Sequence, residues 1–350
     1  MDAVVKQIQD KFGTAAIKPL DGYAPSHNAG FITTGSFSVD YVIGRPGLPL
    51  GRIVEIFGPF SSGKSTIAAS CIASFQRNGG KAIIIDSEHS YSPEWTRTFG
   101  IDPKELLLME PSDIQAMFEQ VAYLCNAIAD AQSAVPVLVV IDSISAFPTP
   151  EELEFLKDGS KKDPSRALGL HARYCAKGFR ILSNLIWDCN VSVLCISQLK
   201  DNPMMPYQRS KLGGAAVDFH AAIQLQTSKA GKDEKSITTK LRCQKNKMAS
   251  PFKETLFTIV FGEGINDNHT FVHAGIAAGL IRTKGGGWCT HVESGESFRH
   301  AEIVAKYGVE ILKHYFPTLL PKAAEEASQI PTESAPPVQT SVEAITPNEV

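Results

Sequence analysis

Gly58-Pro59-Phe60-Ser61-Ser62-Gly63-Lys64-Ser65 is a complete G-x-x-x-x-G-K-[ST] phosphate loop, and its flanks agree with it. The run Arg52-Ile53-Val54-Glu55-Ile56-Phe57 ahead of it reads as a buried strand. Behind it, Ser65 to Asn78 reads as a helix with Ile67, Cys71, Ile72 and Phe75 on one face and Gly79-Gly80 as its stop. Strand, glycine-rich loop and helix N-terminus together make a polyphosphate cradle. The glycines let backbone N–H groups point inward, the helix dipole favours negative charge, and Lys64 reaches the β- and γ-phosphates. Ser65 is the expected Mg²⁺ ligand, and Thr66 beside it completes the set of residues expected around a nucleoside triphosphate.

Outward from this loop, strands and helices alternate from about Phe31 to Gly262, as in an α/β protein with a mostly parallel sheet. The expected strands are Val54–Phe57, Ala82–Ile85, Val137–Ile141, Val191–Ile196 and Ala222–Leu225. Two alternating runs, 237–243 and 255–261, read as a hairpin-like edge. Residues 2–12 read as a short helix, with Val4, Val5, Ile8 and Phe12 on one side and Gly13 as its stop, followed by an extended piece over 15–20. An element that small has no core of its own and must pack on the main domain or on a neighbouring subunit. The expected organisation is an N-terminal helix and strand (1–30), a nucleotide-binding α/β core (31–262), a small α+β C-terminal lobe (263–320) and a tail (321–350). The lobe carries helices at 272–280 and 301–315 around the loop Lys284-Gly285-Gly286-Gly287-Trp288. The tail is acidic and proline-punctuated, the composition of a disordered segment.

Composition narrows the setting. With 43% hydrophobic residues the chain can bury a sizeable core. A net charge of −3 means that any nucleic-acid contact must come from local patches. The seven cysteines are odd in number and include no C-x-x-C pair, which favours buried thiols in a reducing compartment over disulfides or zinc. No stretch approaches the ~18 apolar residues of a membrane span, and the opening Met1-Asp2-Ala3-Val4-Val5-Lys6 lacks a signal-peptide layout. A soluble cytoplasmic protein is expected.

Hydrolysis needs more than a phosphate loop. Val137-Leu138-Val139-Val140-Ile141-Asp142 is a buried strand ending in a carboxylate that can hold Mg²⁺ together with Ser65. The strand ending at Ile85 leads into Asp86-Ser87-Glu88-His89, where Glu88 is the candidate base for the attacking water; a solvated loop acid is the alternative. The strand 191–196 leads into Ser197-Gln198, an amide able to hydrogen-bond a γ-phosphate and report its presence.

These residues resemble one family closely. Gly51-Arg52-Ile53-Val54-Glu55-Ile56-Phe57-Gly58-Pro59, the phosphate loop, Asp86-Ser87-Glu88-His89 and Thr34-Gly35-Ser36-Phe37-Ser38-Val39-Asp40 are similar to the bacterial RecA recombinase family. The most specific match is Lys245-Asn246-Lys247-Met248-Ala249-Ser250-Pro251-Phe252-Lys253, followed by Phe261-Gly262-Glu263-Gly264-Ile265-Asn266. General phosphate-loop ATPases have no reason to carry that string. The resemblance runs to about residue 315 and implies a RecA-like core, ATP as nucleotide, and a homo-oligomeric helical filament on DNA. It also implies roles: Glu88 as water-activating carboxylate, Gln198 as γ-phosphate sensor, Trp95 as the aromatic that stacks on adenine, and Lys245 and Lys247 as lysines reaching a neighbour's ATP. On composition alone Trp95 would be a core aromatic and the two lysines a solvated turn.

By the same resemblance, two segments after strand ends are loops that bind single-stranded DNA, about 151–169 and 199–212. The first offers Arg166, Leu168 and Gly169, with Arg173 starting the next helix. The second offers Lys200, Met205, Tyr207, Arg209 and Lys211, with Gly213-Gly214 as a hinge. Cations there can pair with phosphates while apolar and aromatic groups stack on bases. In the tail lobe, Arg282, Lys284, Arg299 and Lys313 are the corresponding patch for double-stranded DNA. The chain also departs from the family. Phe60 stands where the family has an acidic residue, Ser92 replaces an aspartate, and Asp218 and Gln224 stand at basic positions, although Phe219 matches an interface aromatic. The function these features imply is an ATP-dependent recombinase that polymerises on single-stranded DNA and exchanges strands. The rivals are a ring helicase or translocase on the same core and a non-catalytic DNA-coating protein.

Overall fold

Buried β-branched runs make the centre of the sheet, and one-sided alternating runs make its edge. In the computed structural model, which describes residues 1–14, 16–17, 30–158, 169–202, 205–211 and 216–317, the strands are β1 (Phe31–Ile32), β2 (Leu48–Pro49), β3 (Ile53–Gly58), β4 (Lys81–Asp86), β5 (Leu106–Leu108), β6 (Val137–Asp142), β7 (Val191–Asn202), β8 (Met205–Lys211), β9 (Ile223–Lys232), β10 (Ser236–Asn246), β11 (Glu254–Val260), β12 (Gly264–Asn266), β13 (Ile281–Gly285), β14 (Trp288–His291) and β15 (Ser297–Arg299). The helices are α1 (Asp2–Phe12), α2 (Phe37–Ile43), α3 (Lys64–Arg77), α4 (Pro93–Thr98), α5 (Ile114–Asp130), α6 (Pro150–Asp158), α7 (Leu170–Leu185), α8 (Ala216–His220), α9 (Asn268–Ala277) and α10 (Ile303–Tyr315).

The large sheet runs β12-β11-β10-β9-β3-β7-β6-β4-β5, with β8 paired to the outer part of β7. It is parallel from β9 to β5 and antiparallel from β9 to β12. Every residue of β3 and β6 is buried, because helices cover both faces there, whereas β11 alternates buried and half-exposed positions. One face packs Val54, Ile56, Val140 and Ile196 against α3, whose Ile67, Cys71, Ile72 and Phe75 are all fully buried. The other packs Ile53, Ile85, Val139 and Val193 against α5 and α7. All seven cysteines are buried thiols. No helix among the described residues is long and apolar enough to cross a membrane.

The C-terminal elements tie back onto the loop side of the core. Asp267 accepts hydrogen bonds from Ser36 Oγ (2.7 Å), Phe37 N (2.9 Å) and Ser38 N (3.0 Å), so a residue some 230 positions away caps α2. Phe37 stacks on Phe271 of α9 at 4.2 Å, and Tyr41 meets Tyr315 of α10 edge-on at 5.2 Å. The expected glycine loop of the tail lobe is the turn of a hairpin. Gly285 pairs with Trp288, and Gly286 and Gly287 take φ values of 59° and 76° that favour glycine.

Helix α1 forms as its periodicity requires, but it buries nothing. Val4 is 52% exposed and Phe12 67%.

Asp40 of α2 is buried under Thr33 and Thr34, whose hydroxyls approach its carboxylate at 2.6 Å. Burial is the main cause that pushes its pKa up to about 7. The folded state therefore holds a proton that the unfolded chain releases near pH 4, and the stability tied to that proton is lost as pH rises through about 7. The penalty of Asp40→Asn, measured by denaturant unfolding, should accordingly shrink by about 1 kcal/mol or more between pH 5 and pH 8. A difference independent of pH would contradict this.

Two segments expected as loops are partly regular. Residues 150–158 form α6, started by a reciprocal cap in which Thr149 N donates to Glu152 Oε2 (2.6 Å) and Glu152 N to Thr149 Oγ1 (3.3 Å). Strand β7 runs past Gln198 to Asn202 and pairs with β8 (Leu199 with Lys211, Lys200 with Ser210), because no glycine or proline interrupts it before Pro203. Arg166, Leu168, Gly213, Gly214 and the tail 321–350 lie outside the described residues, as does most of the extended piece over 15–20.

Candidate nucleotide site

Four parallel strands end almost level, and each delivers one functional group. Gly58 at the end of β3 sits beside Gln198 of β7, and Asp142 at the end of β6 sits beside Asp86 of β4. Gly63 opens α3 with φ of 90°, a conformation that strains any side chain, and a Cβ there would lie 2.3 Å from Ile259 Cδ1, which would have to shift. Ser62 Oγ braces the loop from behind through Pro59 O and Thr227 Oγ1, both at 2.7 Å. Lys64 is buried and folds back over the loop, its Nζ 2.8 Å from Pro59 O. Desolvation lowers its pKa, opposed by the negative charges of Asp142 and Glu88.

The acidic side of the site is equally built. Asp142 is 3% exposed, and burial pushes its pKa up to about 6 against the hydrogen bond from Ser65. Tyr91 Oη donates to Asp142 Oδ2 at 3.2 Å, and that burial and charge push the phenol well above its ordinary range. A carboxylate beside the first hydroxyl of α3, under a buried lysine, has the donor set for Mg²⁺ and a polyphosphate, so the residues fit both groups. Glu88 stands exposed at the mouth. Its Oε1 accepts from Ser143 Oγ at 3.0 Å and from Gln198 Nε2, which brings the candidate base and the candidate sensor into direct contact. The Asp142–Ser143 peptide is cis.

Trp95 on α4 reaches the site only through a neighbour. It meets Tyr91 edge-on at 5.0 Å and Phe99 at 4.5 Å, and Tyr91 touches Asp142. Ser92, at the position of the family's aspartate, caps α4 by accepting from Trp95 N at 3.1 Å. Phe60 is 61% exposed on the phosphate loop.

Lys245 and Lys247 lie at the other end of the sheet. Lys245 is level with Gln224, which is level with Glu55; Lys247 N bonds Ala222 O, whose own N–H bonds Ile53 O. Glu55 and Ile53 lie three and five strand steps before Gly58, ~10 and ~16 Å, and both lysine side chains turn to the carbonyls of α8 rather than to the phosphate loop of their own chain. Lys245 Nζ donates to Asp218 O, and both lysines lie within 3.5 Å of Phe219 O. Phe219 itself is 74% exposed. Gln224 explains the two departures beside them. Its Nε2 donates to Glu55 Oε2 (2.6 Å) and to Asp218 Oδ1 (2.5 Å), so one amide holds two carboxylates together.

Of the expected DNA contacts, Gly169 takes the left-handed conformation (φ 86°) at the start of α7, and Arg173 N bonds its carbonyl at 3.1 Å. Lys200, Met205, Tyr207, Arg209 and Lys211 fall on the β7–β8 hairpin. Sequence reasoning missed Ser143, Tyr91 and Thr227. Ser143 follows Asp142 directly and was legible in principle; Tyr91 and Thr227 carry no local signal.

Comparison with known proteins points to one family. The profile of the RecA N-terminal domain matches residues 1–266. The protein RecA of Ruegeria pomeroyi is 34% identical over 298 residues, covering 83% of this chain and 82% of its own. That of Gluconacetobacter polyoxogenes is 35% identical over 295 residues, covering 82% and 81%. That of Bartonella bacilliformis is 34% identical over 323 residues, covering 87% and 89%. With a phosphate loop, a level row of strand-end carboxylates and relatives matched over most of their length, the chain belongs to the RecA family.

Proposed function

We propose that this chain is a DNA-dependent ATPase that polymerises on single-stranded DNA, searches duplex DNA for homology and exchanges strands. One observation carries the reading. Lys64, Ser65, Glu88, Asp142 and Gln198 stand at one end of the sheet and Lys245 with Lys247 toward the other, and we read them as two halves of one hydrolytic site. A site divided in that way is completed by the next subunit, head to tail, and head-to-tail contacts that do not close generate a helix. The helicase and DNA-coating readings gain no comparable support.

Each residue then has a task. Lys64 and the backbone N–H groups of 61–66 hold the β- and γ-phosphates, and Ser65 and Asp142 hold Mg²⁺. Bound ATP·Mg²⁺ supplies the transferable phosphoryl group and neutralises the charge that develops on it. Glu88, aimed by Ser143, accepts the proton of the attacking water. Gln198 exchanges its bond to Glu88 for one to the γ-phosphate, and β7 carries that change into the hairpin that bears Lys200 and Arg209. Lys245 and Lys247 leave the carbonyl of Phe219 and stabilise the transferring group of the neighbour's nucleotide. Trp95 packs beside the adenine. Residues 1–30 dock on the adjacent subunit, which gives the uncovered apolar face of α1 a partner. The lobe patch of Arg282, Lys284, Arg299 and Lys313 receives double-stranded DNA.

Strand exchange between a circular single strand and a homologous linear duplex tests the reading. The wild type yields exchanged product with ATP and Mg²⁺, and Lys64→Ala yields none and loses nucleotide-dependent assembly. Unaltered DNA coating by Lys64→Ala, with no need of ATP in either protein, would favour the DNA-coating alternative.

A further inference from the structure

Two carboxylates stand level at the ends of neighbouring strands, Asp86 on β4 and Asp142 on β6, and the chain uses them differently. Asp86 folds the segment that follows it. Its Oδ1 accepts from Glu88 N at 3.3 Å and from Ser90 Oγ at 3.5 Å, and its Oδ2 accepts from Tyr91 N at 2.9 Å. The turn closed in this way leaves Glu88 at the mouth of the site and brings Tyr91 back to the strand ends, where its Oη donates to Asp142 Oδ2 at 3.2 Å. The rest of the side chain is held as well. Its ring meets Trp95 edge-on at 5.0 Å, Trp95 leans on Phe99 at 4.5 Å, and all three pack against the apolar cluster that contains Ile67 and Ile72 of α3.

Asp142 is 3% exposed, so bulk water does not serve its carboxylate, and each oxygen needs a donor or a cation from inside the site. Groups that hold a ligand carboxylate from behind set how well it binds a metal; losing one typically lowers metal affinity about 10–100-fold, although the group never touches the ion. In the reading above, on which this inference rests, Asp142 and Ser65 hold Mg²⁺. We propose that Tyr91 is the positioning residue of that metal site: its hydroxyl pins Oδ2 of Asp142 and leaves the other carboxylate oxygen to Ser65 and the cation. A tyrosine suits the place, because its phenol donates one hydrogen bond and carries no charge near neutral pH. Asp86 acts one step further back, since the turn it closes carries both Tyr91 and Glu88. One short segment, 86–91, thereby sets the metal carboxylate and the candidate base together.

The test uses the full chain without DNA, with ADP and with Mn²⁺ as the metal probe, free Mn²⁺ being read by electron paramagnetic resonance. Tyr91→Phe removes one hydroxyl and keeps the ring against Trp95. The Mn²⁺ concentration that half-fills the ADP complex should rise about 10–100-fold in the variant. Its affinity for a fluorescent ADP analogue in EDTA should equal that of the wild type, which a general loosening of the site would not allow. The Mg²⁺ concentration for half-maximal DNA-dependent hydrolysis should rise in step with the Mn²⁺ value. Equal Mn²⁺ affinity in the two proteins overturns the proposal. So does a loss of nucleotide affinity in EDTA as large as the loss of metal affinity. Asp142→Asn separates the two levels. If it fills with Mn²⁺ like the wild type, the assignment of Asp142 to the metal falls, and the role of Tyr91 with it; if it loses Mn²⁺ while Tyr91→Phe does not, only the role of Tyr91 falls.

Discussion

Glu88→Gln lowers the steady-state rate of ATP hydrolysis about 10²–10⁴-fold, the usual worth of a positioned general base, and leaves nucleotide-dependent assembly on single-stranded DNA in place. The division follows from where the carboxylate stands. Glu88 is exposed at the mouth of the site and holds no part of the phosphate loop. Its Oε1 accepts from Ser143 Oγ and Gln198 Nε2. Glutamine keeps an acceptor for both donors, so the geometry survives while the basic oxygen is lost. Binding of a fluorescent ATP analogue should be unchanged. A variant that hydrolyses at the wild-type rate would show that another group takes the proton, and Asp142 would be the first to examine, because burial already pushes its pKa up to about 6.

Replacing both Lys245 and Lys247 with alanine should cut DNA-stimulated turnover about 10³-fold or more, as expected when a cation supplied in trans is removed from a phosphoryl-transfer site. Nucleotide binding by the monomer should stay as it is, since the register of β3, β9 and β10 puts Lys245 and Lys247 ~10 and ~16 Å along the sheet from their own loop, with both ammonium groups on the carbonyls of α8. The mixed polymer is more telling. A site that takes Glu88 from one subunit and lysines from the next is complete wherever a lysine variant's loop faces a Glu88→Gln neighbour. Equal amounts of the two inert proteins should therefore recover about one quarter of wild-type turnover by random head-to-tail ordering. No recovery, with both proteins present in the polymer, would mean that each chain uses its own lysines or that the lysines act only on assembly.

How much of this was legible depended on whether the determinant is local. The phosphate loop, its helix and the strands through Ile56, Ile84, Val139 and Leu194 follow from apolar runs and glycine spacing, and all lie where the sequence puts them. The Thr149-Pro150-Glu151-Glu152 cap of α6 is also local, but it straddles the start of the segment from about 151 to 169 that the resemblance assigns to a DNA loop. Strand β5 is only Leu106–Leu108, too short to distinguish from a buried turn before its pairing with β4 is known. The position of the lysines was not legible from residues at all. Their string pointed to a family, but only the sheet register shows that they face away from their own phosphate loop. Asp267 capping α2 and Gln224 joining Glu55 to Asp218 are likewise contacts between residues distant in sequence, and no window of the chain announces them.

The most direct test of the shared site is electron microscopy of the protein on single-stranded DNA with Mg²⁺ and a slowly hydrolysed ATP analogue. The account predicts helical filaments that disappear when nucleotide is withheld, with Lys245 and Lys247 of each subunit at the triphosphate bound by Lys64 and Asp142 of the next. Closed rings, or a filament in which those lysines point into solvent, would contradict it.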